Sequence, residues 1–468
     1  MNMKYLYISL IIMIATSCSV NKNNKSTATN KPNIIYILAD DLGYGDLSAY
    51  GQTKFSTPNI DKLAKEGILF TQHYAGATVC APSRSSLMTG LHTGNTPIRG
   101  NKAIELPKET QTLAEFLKDN GYKTGGFGKW GLGSANAEGS PLQQGFDSFF
   151  GYYSQMLAHH YYPDYLWEND KKVILKGNQG LNKEQYAPNL IHKKALSFID
   201  NHKAKPFFLY YPSIIPHAEL FAPKEYLNKF KGKFNPEKNY KGTDDGELYK
   251  KGRYGSQPNS HAAFVAMITL LDDQVGEIVQ KVKDLGLEEN TIFIFTSDNG
   301  PHKEAGADPD YFNSNGNLKG YKRDLYEGGI RVPMIAKWKG KIKAGTTTNH
   351  TSAFWDVLPT FADVLKIDTT FKTDGISFLP TLLHQENQKR HDYLYWEFHE
   401  LNGRQAVLKD NWKLVKYNVK TKPEYFLFDL SSDPSETNDL SEEKPEKLKE
   451  LIAILENSRT ESENFKLK

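Results

Sequence analysis

The sequence NIIYILADD at residues 33–41 combines a short apolar run with two aspartates at its end. Two further runs have the same apolar character, PFFLYY at 206–211 and TIFIFT at 291–296. Their length and their β-branched and aromatic residues are typical of strands that are buried on both faces. Because such strands belong mainly to parallel sheets, the three runs predict an α/β core.

Helical patterns lie between and after these strands. Apolar residues recur at spacings of three and four between 261 and 285, and 354–365 is a second helical segment. This alternation predicts an α/β fold with a large mixed, mostly parallel sheet sandwiched by helices. Beyond about residue 380, short strand patterns precede a charged helix at 444–455. They predict a small C-terminal α+β subdomain with an antiparallel sheet, so we expect a main domain at 32–380 and the subdomain at 381–468.

The amino terminus has the pattern of a secretory signal. Lys4 provides positive charge, and residues 6–15 are almost wholly apolar but too few to span a bilayer, which predicts a signal peptide at 1–17. The small residues before Cys18 are similar to the lipidation site of bacterial lipoproteins. Cys18 is therefore expected to be lipidated, with 18–31 as a polar tether; an ordinary cleavage site beside a chance cysteine is the alternative. The prediction is an exported protein, periplasmic or anchored as a lipoprotein in the outer membrane of a Gram-negative-type bacterium.

Charge and cysteine content exclude two classes of protein. The 468-residue chain carries 58 Lys and Arg against 55 Asp and Glu, a formal net charge of +3. This near-balance argues against a nucleic-acid-binding protein, which would have a clear surplus of positive charge. The two cysteines, Cys18 and Cys80, are too few for a disulfide framework. Membrane attachment is expected only through the lipid anchor.

Carboxylate and amide side chains follow two of the predicted strands. Asp40 and Asp41 end the first strand, and Asp298 and Asn299 end the third. Ligands of α/β proteins bind at the carboxyl ends of the sheet strands. Four hard oxygen donors favour Ca²⁺, with Mg²⁺ second. Each pair alone would also suit a capped turn or an Asx-turn.

The segment TVCAPSRSSLMTG at 78–90 predicts a short helix. Pro82 suits the first turn of this helix and Gly90 its end. Cys80 and Arg84 then lie where free backbone amides create an anion-binding site. A small structural cysteine is the alternative interpretation of Cys80.

The same segment resembles a family signature. Cys80-Ala81-Pro82-Ser83-Arg84, followed by Leu87 and Gly90, is similar to the motif of the type I, formylglycine-dependent sulfatases of the alkaline phosphatase superfamily. Other family blocks occur in order between about residues 32 and 440: Asp40–Asp41, GKW at 128–130, PH at 216–217, SDNG at 297–300, Lys322, and YEGGIRVP at 326–333.

The resemblance assigns 32–380 to a sulfatase catalytic domain and implies a set of roles. A formylglycine-generating enzyme would oxidise Cys80 to formylglycine, whose hydrate is the nucleophile. One Ca²⁺ would be held by the four oxygen donors named above. Arg84 would steady the formylglycine and the metal site, Lys129 and Lys322 would bind sulfate oxygens, and His217 would meet the leaving oxygen. Asp298 would also take the proton of the attacking hydroxyl.

One position departs from the family pattern. The family usually has Lys-Trp-His-Leu-Gly where this chain has Lys-Trp-Gly-Leu-Gly, with Gly131 in place of a histidine that helps to release sulfate. We hypothesise that His159 or His160 supplies the missing imidazole; the alternative is that both histidines only line the sugar site. Further candidates for substrate contact are His302, Glu397, His399 and Arg404. The alternative is that each is a surface residue that holds the two domains together.

The leading prediction is a Ca²⁺-dependent sulfuric ester hydrolase that removes sulfate from a sulfated carbohydrate, within polysaccharide breakdown. Its expected partners are a sulfated saccharide and the formylglycine-generating enzyme. A phosphonate or phosphodiester hydrolase of the same superfamily is the second reading. A third, suggested by the loss of histidine at Gly131, is an inactive protein that binds sulfated glycans.

Overall fold

The computed structural model describes residues 31–368 and 370–467. The predicted signal peptide, Cys18 and almost all of the predicted tether lie outside the described residues. Within the described ranges, no helix combines the length and the apolar character that a membrane crossing requires.

The main sheet has 11 strands in the described part of the chain. Their bounds are β1 Asn33–Ala39, β2 Ile68–Tyr74, β3 Lys123–Lys129, β4 Ser148–Tyr152, β5 Tyr165–Glu168, β6 Lys171–Ile174, β7 Phe207–Pro212, β8 Thr291–Ser297, β9 Arg331–Trp338, β10 Thr346–Thr348 and β11 Ser352–Ala353. The strand order is β10-β2-β9-β8-β1-β7-β3-β4-β5-β6, with β11 beside β2. Strands β8, β1, β7, β3 and β4 run parallel to their neighbours in this group. Strand β9 is antiparallel to β2 and β8, and β4, β5 and β6 pair antiparallel. The prediction of a mixed, mostly parallel sheet is confirmed.

Helices cover both faces of this sheet. Their bounds are α1 Pro58–Lys65, α2 Cys80–Thr89, α3 Leu113–Asp119, α4 Ala187–His202, α5 Lys224–Phe230, α6 Gly246–Lys250, α7 Ser260–Asp284, α8 Pro309–Phe312, α9 Glu327–Ile330, α10 Val357–Leu365, α11 Leu379–Leu382 and α12 Pro445–Asn457. Short 3-10 turns occupy Ser48–Tyr50, Leu157–His159, Lys176–Asn178, Glu288–Asn290 and Phe354–Asp356.

Strand β1 explains why helices are needed on both sides. Ile35 and Ile37 point into a core that α4 and α7 complete. Ile34 and Tyr36 point into the opposite core, which contains residues of α2, α3 and α10. All four side chains are fully buried. Successive side chains of a strand point to opposite faces of the sheet. Because β1 is apolar on both faces, its side chains contribute to both cores.

The C-terminal part forms a second sheet. Its strands are β12 Leu394–Phe398, β13 Arg404–Lys409, β14 Trp412–Tyr417 and β15 Glu424–Asp429, paired antiparallel in that order. Helix α12 packs Leu451 and Leu455 against one face. The other face shares a core with Tyr74 and Trp355 of the main domain. The predicted antiparallel sheet and its helix are confirmed, whereas the boundary near residue 380 stays a prediction.

Candidate active site

Two neighbouring strand ends bring the predicted metal ligands together. The parallel register pairs Ala39 of β1 with Ser297 of β8, so Asp40 and Asp41 emerge beside Asp298 and Asn299. The backbone N–H of Asp41 donates to Oδ1 of Asp298 at 3.1 Å. All four side chains are fully buried. Asp41 has φ +64°, a left-handed conformation that aspartate tolerates better than most residues.

The chemistry of these four side chains fits a hard cation. Nδ2 of Asn299 donates to Oδ1 of Asp41 at 2.6 Å. Oδ1 of Asn299 is buried and has no hydrogen-bond partner within the described part of the chain. Leaving a buried amide oxygen unsatisfied costs about 1–3 kcal/mol, and an oxygen-seeking cation would satisfy it. Three carboxylates and one amide oxygen match the preference of Ca²⁺ and also that of Mg²⁺.

Cys80 begins helix α2 and faces the same strand ends. Its Sγ–H donates to Oδ1 of Asp40 at 3.2 Å and lies 4.0 Å from Oδ1 of Asp41. Burial, with the negative charges of Asp298 and Asp40, raises the pKa of the Cys80 thiol well above its usual value. An unmodified thiol here stays protonated and is a poor nucleophile.

Three buried cations surround the carboxylates. Arg84 donates from Nε and Nη2 to Oδ2 of Asp298 at 3.0 and 2.8 Å. Lys129 at the end of β3 donates to Oδ2 of Asp40 at 2.7 Å. Lys322 donates to Oδ2 of Asp41, also at 2.7 Å.

The cations decide the protonation of Asp40. Burial alone would raise the pKa of Asp40, but Lys129, Arg84 and Lys322 hold it well below its usual range. For Asp298, burial and the nearby Asp40 outweigh the effect of Arg84 and raise the pKa to about 7.

His217 lies between two other imidazoles. Its ring stacks on His159 with centroids 5.1 Å apart and on His302 with centroids 5.8 Å apart. Its Nδ1 faces the carbonyl oxygen of Ala218, which assigns the proton to Nδ1 and leaves the lone pair on Nε2. That lone pair accepts from Nζ of Lys322 at 3.2 Å. Burial, reinforced by Lys322, lowers the pKa of His217 well below its usual value, so the ring is neutral.

A cleft of about 340 Å³ opens over these groups. Cys80, His217 and Lys322 line its floor, and Tyr254, Glu304 and Arg323 form part of its wall. The wall is prearranged, because Glu304 accepts from Arg323 at 2.7 Å and from the hydroxyl of Tyr254 at 3.0 Å. These three wall residues were not predicted, since they lie in loops without a periodic pattern.

Gly131 lies in the same wall, where the family pattern has histidine. It has φ +75°, and a Cβ added there would lie 2.1 Å from Nε2 of Gln155. The carboxamide of Gln155 therefore occupies the space beside position 131. Gln155 was also not predicted from the sequence.

The two histidines proposed as substitutes have different surroundings. His159 lines the cleft, and its Nδ1 lies 2.9 Å from the carbonyl oxygen of Gly252. His160 does not line this cleft; its ring packs on Tyr249 with centroids 4.3 Å apart. Burial lowers the pKa of His159 to about 4. The structure thus favours His159 over His160 as the additional imidazole.

The remaining substrate candidates differ in their positions relative to the catalytic site. His302 is buried against His217, with Nε2 3.3 Å from the carbonyl oxygen of Pro216. Arg404 pairs with Asp324 at 2.6 Å, next in sequence to the cleft residue Arg323.

Glu397 and His399 lie elsewhere. Glu397 is fully buried and pairs with Arg459 at 2.8 Å, His399 at 2.9 Å and Arg99 at 3.3 Å. None of the four candidates is among the described residues that line the catalytic cleft: His302, Glu397, His399 and Arg404. The ion pair of Glu397 with Arg99 joins the C-terminal sheet to the loop that follows helix α2.

Comparisons with known proteins agree with this geometry. A family model described as Sulfatase matches residues 32–367, and one described as N-sulphoglucosamine sulphohydrolase, C-terminal, matches 319–464. An N-acetylgalactosamine-6-O-sulfatase of Bacteroides thetaiotaomicron is 32% identical over 96% of this chain and 97% of the relative. The human N-acetylgalactosamine-6-sulfatase is 30% identical over 79% of this chain and 69% of the relative.

Solved structures give the same result. The crystal structure of Ps i-CgsB has a TM-score of 0.76 and 28% identity, with 92% of each chain covered. The same protein has been solved in complex with k-i-k-neocarrahexaose. The family model described as Sulfatase spans most of the chain, and the predicted nucleophile, cations and oxygen donors meet at one edge of the sheet. The chain therefore belongs to the sulfatase family of sulfuric ester hydrolases.

Proposed function

We propose that this sulfatase removes sulfate from a sulfated carbohydrate, with formylglycine derived from Cys80 as the nucleophile. The observation that carries the proposal is the position of Cys80 between two buried ammonium groups. Asp40 accepts from Cys80 through Oδ1 and from Lys129 through Oδ2. Oδ1 of Asp41 lies near Sγ of Cys80, and Oδ2 of Asp41 accepts a hydrogen bond from Nζ of Lys322. Each lysine is thus one carboxylate away from the reacting residue.

Sulfate transfer needs positive charge around the sulfonyl oxygens and a proton for the leaving alcohol. Lys129 and Lys322 supply the positive charge in a buried setting, where water does not screen it. His217 meets the leaving oxygen through Nε2, which receives a proton from Nζ of Lys322 and passes it to that oxygen. Asp298 takes the proton of the attacking hydroxyl, and Arg84 holds the Asp298 carboxylate in place.

Asp40, Asp41, Asp298 and Asn299 would hold one Ca²⁺. The ion, when bound, draws charge from a sulfate oxygen as a Lewis acid. Ca²⁺ is preferred over Mg²⁺ because Mg²⁺ usually keeps several waters, whereas this site offers four oxygen-bearing protein side chains. The support for this assignment is the unpartnered Oδ1 of Asn299.

His159 supplies the imidazole that the family has at position 131. It lines the cleft and stacks on His217, so it is available at the reacting centre. Gln155 fills the space beside Gly131 but has no titratable group, so it can position a substrate oxygen and cannot carry a proton.

The carbohydrate substrate is supported by the relatives. The Bacteroides relative is an N-acetylgalactosamine-6-O-sulfatase, and Ps i-CgsB binds a neocarrahexaose. We infer an exported enzyme that acts on glycans outside the cytoplasm, with Cys18 lipidated and Cys80 oxidised by a formylglycine-generating enzyme. Intact-mass analysis of protein from the native host tests both modifications, because a mature chain with both contains no free thiol.

The experiment that tests the function is sulfate release from a panel of sulfated monosaccharides, with N-acetylgalactosamine 6-sulfate as the first member. Cys80→Ala is the matched blank, and mass spectrometry of the Cys80 peptide verifies formylglycine. A phosphonate monoester and a phosphodiester are included as competing substrates. Sulfate release that depends on Cys80 is expected. Faster turnover of the phosphorus esters, or binding of sulfated sugars without release by fully modified protein, would overturn the proposal.

A further inference from the structure

A second cavity, of about 290 Å³, adjoins the catalytic cleft. Ser154 and Met156 line both spaces, so the two are separated by one stretch of chain. Its volume is near the lower limit of about 300 Å³ for small-molecule sites, which suits one ring rather than a chain. None of the catalytic groups described above lines it.

The walls of this second cavity combine exposed apolar surface with aromatic rings. Met156 is 50% exposed and Leu181 is 67% exposed, and both side chains line the same cavity. Tyr162, Tyr165 and Tyr249 also line the cavity. Apolar and aromatic walls beside convergent polar groups suit a small organic ring that also carries hydroxyl groups.

A buried polar side chain faces this space without a partner. His160 is 4% exposed and lines the second cavity. Within the described residues, neither of its ring nitrogens has a hydrogen-bond partner. Its nearest carboxylate, Glu219, lies 3.7 Å away and already accepts from Tyr249 and from the backbone of Gly255. A buried unsatisfied donor and acceptor are costly, and a ligand hydroxyl in the cavity would satisfy the ring nitrogen that it reaches.

The charge of the walls restricts the ligand. The charged residues that line the cavity are three aspartates and two lysines: Asp164, Asp244, Asp245, Lys183 and Lys250. The net charge of the cavity walls is therefore slightly negative, which disfavours binding of a second sulfate or of a uronic carboxylate. An uncharged sugar, rich in hydroxyl groups, meets no such penalty.

We propose that the second cavity is a subsite for an uncharged sugar ring linked to the sulfated sugar in the catalytic cleft. The enzyme then acts on oligosaccharides, and the linked ring crosses Met156 to reach His160. This inference rests on the proposed sulfatase function and specifies the substrate beyond the sulfated residue.

The test compares three substrates built on the monosaccharide sulfate that the panel above shows to be turned over fastest. They are that monosaccharide, the monosaccharide linked to galactose, and the monosaccharide linked to glucuronic acid. Asn182→Trp fills the cavity from an exposed position that does not line the catalytic cleft. Lys341→Trp, exposed and outside both cavities, is the matched control. His160→Gln keeps hydrogen-bonding groups while changing their position.

The parent enzyme is expected to prefer the galactose disaccharide, with kcat/KM at least tenfold above that of the monosaccharide. Asn182→Trp should reduce this ratio to near one, His160→Gln should reduce it in part, and Lys341→Trp should leave it as in the parent. An unchanged ratio in Asn182→Trp, or a preference for the glucuronate disaccharide, would overturn the subsite. Absence of sulfate release from every panel member would instead overturn the proposed function, and the subsite with it.

Discussion

Gly131→Ala tests whether the cleft wall is built around Gln155. Two costs are expected from the structure. Gly131 has φ +75°, and a residue with a Cβ loses about 1–2 kcal/mol in this left-handed conformation. The added Cβ would also lie 2.1 Å from Nε2 of Gln155. Rotating the glutamine away into a strained rotamer adds about 0.5–1.5 kcal/mol. We therefore expect a loss of about 1.5–3.5 kcal/mol in the free energy of unfolding.

The two costs can be separated by urea unfolding of matched variants. Gly340 has φ +74° and nothing within 4 Å of an added Cβ, so Gly340→Ala reports the backbone cost alone. In a double-mutant cycle, Gln155→Ala should remove the steric part and leave a coupling of about 1 kcal/mol between positions 131 and 155. Sulfate release should fall in Gly131→Ala and recover in part in the double variant, because the displaced glutamine lies in the cleft. A Gly131→Ala cost no larger than that of Gly340→Ala, with no coupling, would refute the reasoning.

Three further outcomes are expected. His159→Ala should lower kcat by about 100-fold, within the usual contribution of a general acid or base, and His160→Ala should cause the smaller loss on a monosaccharide sulfate; equal losses in steady-state kinetics would contradict the assignment. Ca²⁺ at a hundredfold excess over its Kd should stabilise the protein by about 2.7 kcal/mol in thermal unfolding, and Asn299→Val should abolish this shift; an equal response of the variant would remove Asn299 from the metal site. For Glu397, burial raises the pKa, but His399, Arg459 and Arg99 outweigh it and lower the pKa to about 2 from an ordinary 4.5. Because the pKa of Glu397 is lower in the folded than in the unfolded protein, ionised Glu397 stabilises the fold by about 3 kcal/mol above pH 4.5. This stabilisation of about 3 kcal/mol is lost as the pH falls towards 2. The stability advantage of the parent over Glu397→Gln should shrink by that amount across this range, and an advantage that does not change with pH would exclude the linkage.

Local patterns were sufficient for three central strands of the sheet and for the carboxylate and amide side chains that follow two of them. The roles of Lys129, His217 and Lys322 were implied by the resemblance to the family. The apolar run before Asp40 and the one before Asp298 each indicated a buried strand, and parallel pairing brings such strand ends to one edge. The helix that begins at Cys80 was similarly marked by Pro82 and Gly90. These predictions depend on residues within about ten positions of each other, where periodicity and capping determine the structure.

The unpredicted residues depend on contacts that no local pattern encodes. Glu304, Arg323 and Tyr254 meet in the cleft wall from separate loops, and Gln155 is recognisable only through its contact with Gly131. Glu397 was predicted as a candidate for substrate contact, and the structure places its carboxylate in buried ion pairs outside the catalytic cleft. Its partner Arg99 lies 298 positions away in the sequence, and only the folded chain shows that the carboxylate joins two parts of the protein.

The charge balance of the site explains why a metal ion and a sulfate ester belong together here. Arg84, Lys129 and Lys322 each pair with one of the three carboxylates of Asp40, Asp41 and Asp298. The buried cluster is therefore close to neutral by itself, and a neutral cluster has little attraction for a sulfate monoester. A divalent cation bound to the same carboxylates adds two positive charges and competes with the lysines for oxygen atoms. Lys129 and Lys322 can then exchange a carboxylate partner for a sulfate oxygen without leaving a buried charge unpaired, which would otherwise cost several kcal/mol. Metal binding and sulfate binding should consequently reinforce each other, as linkage requires when one ligand removes a cost from the binding of the other.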